Sequence, residues 1–583
     1  MYFGGDLLPQ PDAMEGARGD MAVADAAAPA AGASQADGSY STTTVQEAGV
    51  DEPDFVKTDG HYLYTIAQGR LQIVDVSGPV PQPVGSMGLP GGGGELLLDG
   101  DRLLLLGTGG YGAGDSRVMS DATYPMGGSS TTTLTLVDVS DRSEPTVAAT
   151  LTLDGSTVAA RMVNGVARVV LRSQPSGLAF VQPEGSGLRA VRAAEDANRA
   201  VVEDSTIDSW LPYYTLDDRR GGQTTSSEGR LLDCTAVRHP EQFAGLGMLS
   251  VLSVDLGEGF TPAGATGIVA QGETVYASAE RLYVALQRYD GDSQGPVSGE
   301  GIQAPAPWTQ LHAFDITDPM TARYLATGEV QGRLLNQFSM SEHAGHLRVA
   351  TTDDSTSDNG VSVLAQQGEE LVEVGSVRGL GKGEQIYAVR FLGDLGYVVT
   401  FRQTDPLYTL DLADPANPRM VGELKIPGYS SQLHPVGEGL LLGIGQDATL
   451  EGQTTGLQLS LFDVSDPADP QRLQQVSLGQ ANSEAEHDHR AFLHWVATGL
   501  AVIPVQEWGD GTGMPFLGAV GYRIGGGALT EVGRTTQEDV GDDAYQAAIR
   551  RSLVVGDRLV TLSEAGVATS ALVDLAPLGS LRF

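Results

Sequence analysis

The sequence predicts an all-β protein: a single large β-propeller of four-stranded blades with a small helical insertion. Three observations carry this. Short runs rich in Val, Leu, Tyr and Phe are closed repeatedly by Gly, Asp, Pro or Asn, the pattern of strands joined by tight turns. A strand ending in Val-Asp-Val-Ser, or a near variant, recurs along the chain. The 583 residues are 41% hydrophobic and include 77 glycines, which suits a turn-rich all-β core.

The unit is clearest between Gln385 and Asp447. There EQIYAVRFLGD, LGYVVTFRQTD, PLYTLDLADPANPR and MVGELKIPG read as four strands, and YSSQLHPVGEG and LLLGIGQD begin the next four. The strand signature returns as LTLVDVS, LSVLSVDL, LHAFDITDP, LYTLDLADP, LSLFDVSDP and ALVDL, with aspartates at Asp75, Asp138, Asp255, Asp315, Asp411, Asp463 and Asp574. Two weaker copies, near Val363 and Tyr522, lack the Asp. The copies amount to about nine units of about 40–60 residues, the period of propeller blades. Propellers commonly carry about four to eight blades, and an N-terminal strand often completes the last one. Eight blades are therefore favoured, with nine as the alternative. The recurrent Asp is expected to cap the turn after a third strand by accepting backbone N–H bonds; a calcium-binding ring is the sharper alternative.

Residues 1–44 are rich in Ala, Gly, Asp, Ser and Thr and read as a disordered leader, so the propeller is expected to span 45–583. Residues 186–243 break the repeat. Ala-rich stretches with helical spacing of apolar residues, then Pro212, predict a partly helical insertion within the third blade.

The formal net charge is -39, which repels nucleic-acid phosphates and anionic lipid heads and argues against DNA or RNA binding. Cys234 is the single cysteine, so no disulfide framework or Cys-based zinc site is available. No stretch approaches the ~18 apolar residues of a membrane span. The start, MYFGGDLLPQPDAMEG, lacks the basic and apolar regions of an export signal, which predicts either a cytoplasmic protein or a start downstream of the natural one.

VQEAGVDEPDFVKTDGHYLY (45–64), the block from Arg390 to Asp447, DHRAFLHW (488–495) and STIDSWLPYYTL (205–216) resemble segments of a secreted bacterial and archaeal β-propeller family distantly related to WD-repeat propellers. The resemblance covers most of 45–583. It implies an extracellular or cell-surface propeller with no established enzymatic activity.

Candidate ligand-binding residues flank the innermost strands: Arg390, Arg402, Asp405, His434, Gln446, Asp447, His489 and Arg490. Arg402 and Asp405, in FRQTDP, sit where a strand ends. They either pair with each other to pin neighbouring blades, or leave Arg402 to hold an anionic group bidentately. EAEHDHRAFLHW is the densest histidine stretch; on a strand His487 and His489 share one face and, with Glu486 or His434, form a candidate zinc or copper site. The acidic loops with Asp290 and Asp292, and with Asp353, Asp354 and Asp358, are candidate calcium sites that lack the EF-hand spacing. No cofactor is expected, with Ca or Zn as the open alternative. No nucleophile elbow, P-loop, H-E-x-x-H or dinucleotide fingerprint is present, and Trp210, Trp308, Trp495 and Trp508 do not recur once per blade.

Two functional readings follow. One is a monomeric, non-enzymatic extracytoplasmic module that binds or scaffolds an unknown protein or polysaccharide partner. The other is a hydrolase or lyase acting on an anionic polymer at the channel mouth through Arg402, Asp405, His434 and His489.

Overall fold

The strands expected between Gln385 and Asp447 form as a meander: Gln385–Leu392, Leu395–Phe401, Asp405–Asp411 and Arg419–Ile426 pair in order, and Tyr429–Gly437 and Leu440–Ala448 open the next sheet. In this computed structural model the described residues are 35–36, 39–89, 93–109, 130–220, 222–240, 244–289, 307–402, 405–449, 452–507, 516–541 and 543–583. Asp290, Asp292 and Trp508, and most of the 1–44 leader, lie outside them.

Among the described residues the strands group into nine four-stranded antiparallel units around one axis. Their innermost strands are Val56–Thr58, Glu95–Asp99, Ser156–Val163, Thr274–Ala277, Met340–His343, Gln385–Leu392, Tyr429–Gly437, Leu493–Trp495 and Arg551–Val555. This is the higher of the two repeat counts. The favoured eight assumed that an N-terminal strand would complete the last blade. Instead Tyr40–Ser41 pairs with Arg551–Val555 through Tyr40 and Val555, inside a unit that already has four strands. Residues 40–44 are thus part of the fold, not of a leader.

The sheets are apolar on both faces, which is why the strands read as continuous apolar runs. Leu63 packs against unit nine, and its neighbour Tyr64 against unit two. Each adjacent pair of units shares one hydrophobic cluster, and the cluster of Val56, Leu63 and Val74 with Leu553, Val560 and Val567 joins the last unit to the first. Each fully buried Leu or Val there contributes about 1.5–3 kcal/mol.

The recurrent aspartates end the third strands or follow them, and all seven accept a backbone N–H two residues on: Asp75 from Ser77, Asp138 from Ser140, Asp255 from Gly257, Asp315 from Thr317, Asp411 from Ala413, Asp463 from Ser465 and Asp574 from Ala576. They are turn caps. These turns press on the preceding unit where its outermost strand carries a glycine. Any side chain at Gly422 would meet the Pro467 carbonyl and the Pro470 ring, and one at Gly375 the Pro415 carbonyl. Gly422→Val is expected to cost roughly 1–3 kcal/mol by overpacking, read as a lower urea midpoint with unchanged slope.

The insertion lies between the second and third strands of unit three, Val166–Ser173 and Met248–Asp255. Its described residues include the α-helix α1 (Leu188–Glu203) and a hairpin, Tyr213–Asp218 and Thr225–Arg230, that extends unit two from its outer strand Thr146–Asp154. No described helix is long and apolar enough to cross a membrane.

Candidate functional site

The stretch before the first blade strand runs through the axis. Thr44 Oγ1 donates to the Phe492 carbonyl, and Gln46 Nε2 to the carbonyls of Gln337 and Met340. Arg390 donates to the Gln46 carbonyl, and the Tyr276 hydroxyl to Glu47. Asp51 and Asp54 form backbone bridges with Met162 and Leu96. Residues 44–54 therefore touch units two, three, four, five, six, eight and nine. A polar chain can fill an apolar-walled axis only if its groups are satisfied there.

Glu52 is the hub of this segment. Its carboxylate accepts from the Gln46 backbone N–H, from Gln337 Nε2 and from His489 Nε2 at 3.0 Å. Burial pushes its pKa up, but His489 and the Arg161 guanidinium outweigh that and hold it well below the usual carboxylate range. Asp54 is clamped bidentately by Arg551 at 2.9 and 3.1 Å, both side chains only 3% exposed. Arg551 also meets Glu484 and Asp488. Lys57 closes the segment on itself through Thr43, Asp51 and the Glu52 carbonyl.

The innermost strand of unit eight is interrupted. Ala481–Asn482 and Leu493–Trp495 both pair with Leu500–Glu507, and between them two 3-10 turns, Glu484–Glu486 and His489–Ala491, project toward the axis. The two-residue strand period does not apply there. His487 is exposed and His489 buried, so they share no face, and the His487/His489 metal pair is not formed. Among the described residues no group of three His, Cys, Asp or Glu side chains is arranged to hold a metal. Because Glu52 already holds His489, chelator treatment is expected to leave the melting temperature unchanged; a fall of several degrees would reveal a structural metal. In the loop of Asp353, Asp354 and Asp358, Asp353 accepts from Gln331 and Ser355, Asp354 pairs with Arg333 and Asp358 caps Gly379.

The other candidates fall into two groups. Arg390 and His434 are buried beneath the axial segment. Arg390 lies over the Phe338 ring, and burial lowers its pKa to about 10. The His434 ring lies tilted against Phe492, centroids 4.1 Å apart, and burial, then Arg390 and two histidines, keep it well below the usual imidazole value. Arg490 bonds Asp488, Glu95 and the Pro53 carbonyl. Arg402, Gln446 and Asp447 stand at strand ends nearer solvent. Arg402 is exposed, and the Asp405 side chain lies outside the described residues. Gln446 donates to Glu486, and Asp447 caps Ala448.

One cavity of about 500 Å³ opens beside the axial segment. Glu52, Glu95, Arg161, Glu273, Gln337, Gln432 and His487 to Arg490 are among its lining residues. Nearly all come from the beginnings of innermost strands or the connections that lead into them, so the cavity lies at one face of the ring. First and third strands run the same way, so the capped Asp turns lie at the opposite face. The connections between second and third strands return to the cavity face, and the α1 insertion is one of them.

The sequence reading missed Glu52, Asp54, Arg161, Gln337 and Arg551. The acidic cluster in VQEAGVDEPDFVK, with a lone lysine and few apolar residues just before the first strand, was the available signal.

The chain is 44% identical over 208 residues to an uncharacterized protein of Archaeoglobus fulgidus, covering 35% of this chain and 32% of that protein. It is 39% identical over 239 residues to an uncharacterized protein of Methanocaldococcus jannaschii, covering 41% of this chain and 35% of that protein. It thus spans about a third of either relative. Similar solved structures include the WD40 domain of Toxoplasma gondii coronin (11% identity, 61% of this chain, 77% of that one, TM-score 0.30) and the computationally designed Ika8 protein (10%, 84%, 95%, 0.35). The model of the beta propeller domain matches residues 40–575, from the strand that pairs with Val555 to the last turn, and the chain belongs to that family.

Proposed function

We propose that this propeller is a non-enzymatic binding or scaffolding module that works outside the cytoplasm and recognises a protein or polysaccharide on its cavity face. The observation that carries the proposal is the filled axis. His434, one of the residues a channel-mouth catalyst would use, is buried and packed on Phe492, and Arg390 beside it lies over Phe338 and donates to the Gln46 carbonyl. His489 is held by Glu52. Exposed recognition capacity lies in the rim and its long connections, as is usual where a rigid scaffold presents loops. The extracytoplasmic assignment rests on the resemblance to exported propellers. The test is incubation of the purified chain with a panel of plant, microbial and animal polysaccharides and with peptides. Saturable binding without new reducing ends or cleaved peptide bonds is expected; multiple turnover of any panel member would contradict the proposal.

A further inference from the structure

Between units six and seven the cavity face carries a second pocket, of about 340 Å³, lined by Gly383, Glu384, Gln385, Tyr387, Phe401 and Arg402. This is the lower end of the size range of small-ligand sites, about 300–1,000 Å³. Tyr387 and Phe401 form its apolar wall, edge to face at 5.5 Å, and Tyr429 backs both rings at 4.7 and 4.9 Å. At the rim, Arg402 Nη1 lies near Gly383, close to where a Cβ would sit, and Lys382 is the next residue. Both cations are exposed, and neither makes an ion pair among the described residues. Glu384 accepts from Thr400 through Oε2, which leaves its other oxygen for a donor, and Gln385 adds an exposed amide.

We infer that this pocket binds an acidic sugar residue of the uronic acid class: the ring packs on Tyr387, Arg402 pairs with the sugar carboxylate, and Glu384 and Gln385 take its hydroxyls. Flat aromatic walls pair with the apolar face of a sugar, and a guanidinium pairs bidentately with a carboxylate. The overall charge of -39 does not forbid this, because screening confines surface fields to about 8 Å at physiological salt. The inference deepens the binding-module proposal and rests on it. The test is calorimetric titration of the full chain with a galacturonic acid trimer and with the neutral galactose trimer. The acidic trimer is expected to bind more tightly. Arg402→Ala is expected to weaken it at least about tenfold and leave the neutral trimer unchanged, with Arg402→Lys intermediate and the melting temperature of both variants that of the wild type. Equal affinity for the two trimers, no binding of either, or unchanged affinity in Arg402→Ala would overturn the inference, while binding of other polymers would leave the module proposal standing. Cleavage of either trimer would instead remove that proposal.

Discussion

Asp54→Ala is expected to destabilise the protein by about 3–5 kcal/mol, the typical cost of stripping one partner from a buried ion pair. The reason is local. Arg551 is 3% exposed and gives Asp54 two of its hydrogen bonds. Without Asp54 its charge stays in the axis with Glu484 and Asp488, which are only partly buried and shared with Arg550 and Arg490. The pair also joins the axial segment to the last unit. Arg551→Met alone should be comparably harmful, because it leaves the Asp54 carboxylate unpaired. The double variant Asp54→Leu with Arg551→Met should recover a large part of the loss, since a well-packed apolar pair often matches a buried ion pair. Equilibrium urea unfolding of the two singles and the double measures this; losses that simply add would show that the two side chains do not act on each other.

The second large effect is acid lability. His312, His434 and His494 are buried within the blades, and each has a ring nitrogen without a hydrogen-bond partner among the described residues. Burial lowers His312 and His494 to about 4, and burial together with Arg390 lowers His434 well below the usual value. These groups stay neutral in the fold but take up a proton in the unfolded chain below about pH 6.5. The unfolded state therefore binds more protons in that window, and stability falls as pH drops from about 6.5 toward 4. A shift of this size in one histidine corresponds to roughly 3 kcal/mol, against a typical total of about 5–15 kcal/mol. Glu52 acts in the same direction at lower pH. Its depressed pKa gives stability that is full above the ordinary glutamate range and is lost as pH falls toward the folded value. Melting temperature should be flat above about pH 7 and fall steeply below 6. His312→Phe should flatten the curve between 6.5 and 4; a wild-type curve flat down to pH 4 would contradict this account.

The blades were legible in the sequence because their signals are local. The aspartate of Val-Asp-Val-Ser and the N–H it caps are two residues apart, as in Asp463 and Ser465, and the alternation of strand and turn is written in short stretches. The helical spacing of the Ala-rich stretch is a local signal of the same kind, and α1 forms there at Leu188–Glu203. The axis was not legible. Its contacts join residues that no local pattern connects: Glu52 and His489 are separated by 437 positions and Asp54 and Arg551 by 497. The His487/His489 pairing failed because it assumed an unbroken strand, whereas two capped turns, opened by Ser483 and Asp488, break the strand there. The blade count was ambiguous because the N-terminal strand, visible as a short polar run, adds to the last unit instead of completing it. The second pocket was half legible. Arg402 stood out as polar after an apolar strand, but the aromatic wall depends on Tyr429 reaching from the next unit to Tyr387 and Phe401.

The central claim is that residues 44–54 are a fixed part of the axis and leave recognition to the rim. Native-state hydrogen exchange tests this without any ligand, because protection reports the free energy of the opening that exposes each amide. Peptides covering 44–56 are expected to exchange as slowly as the inner strands Arg551–Val555 and Gln385–Leu392, through near-global opening. Exchange of that segment at the rate of exposed turns, with the inner strands still protected, would contradict the account and return the open channel, with Arg390 and His434 at its mouth, as the site to pursue.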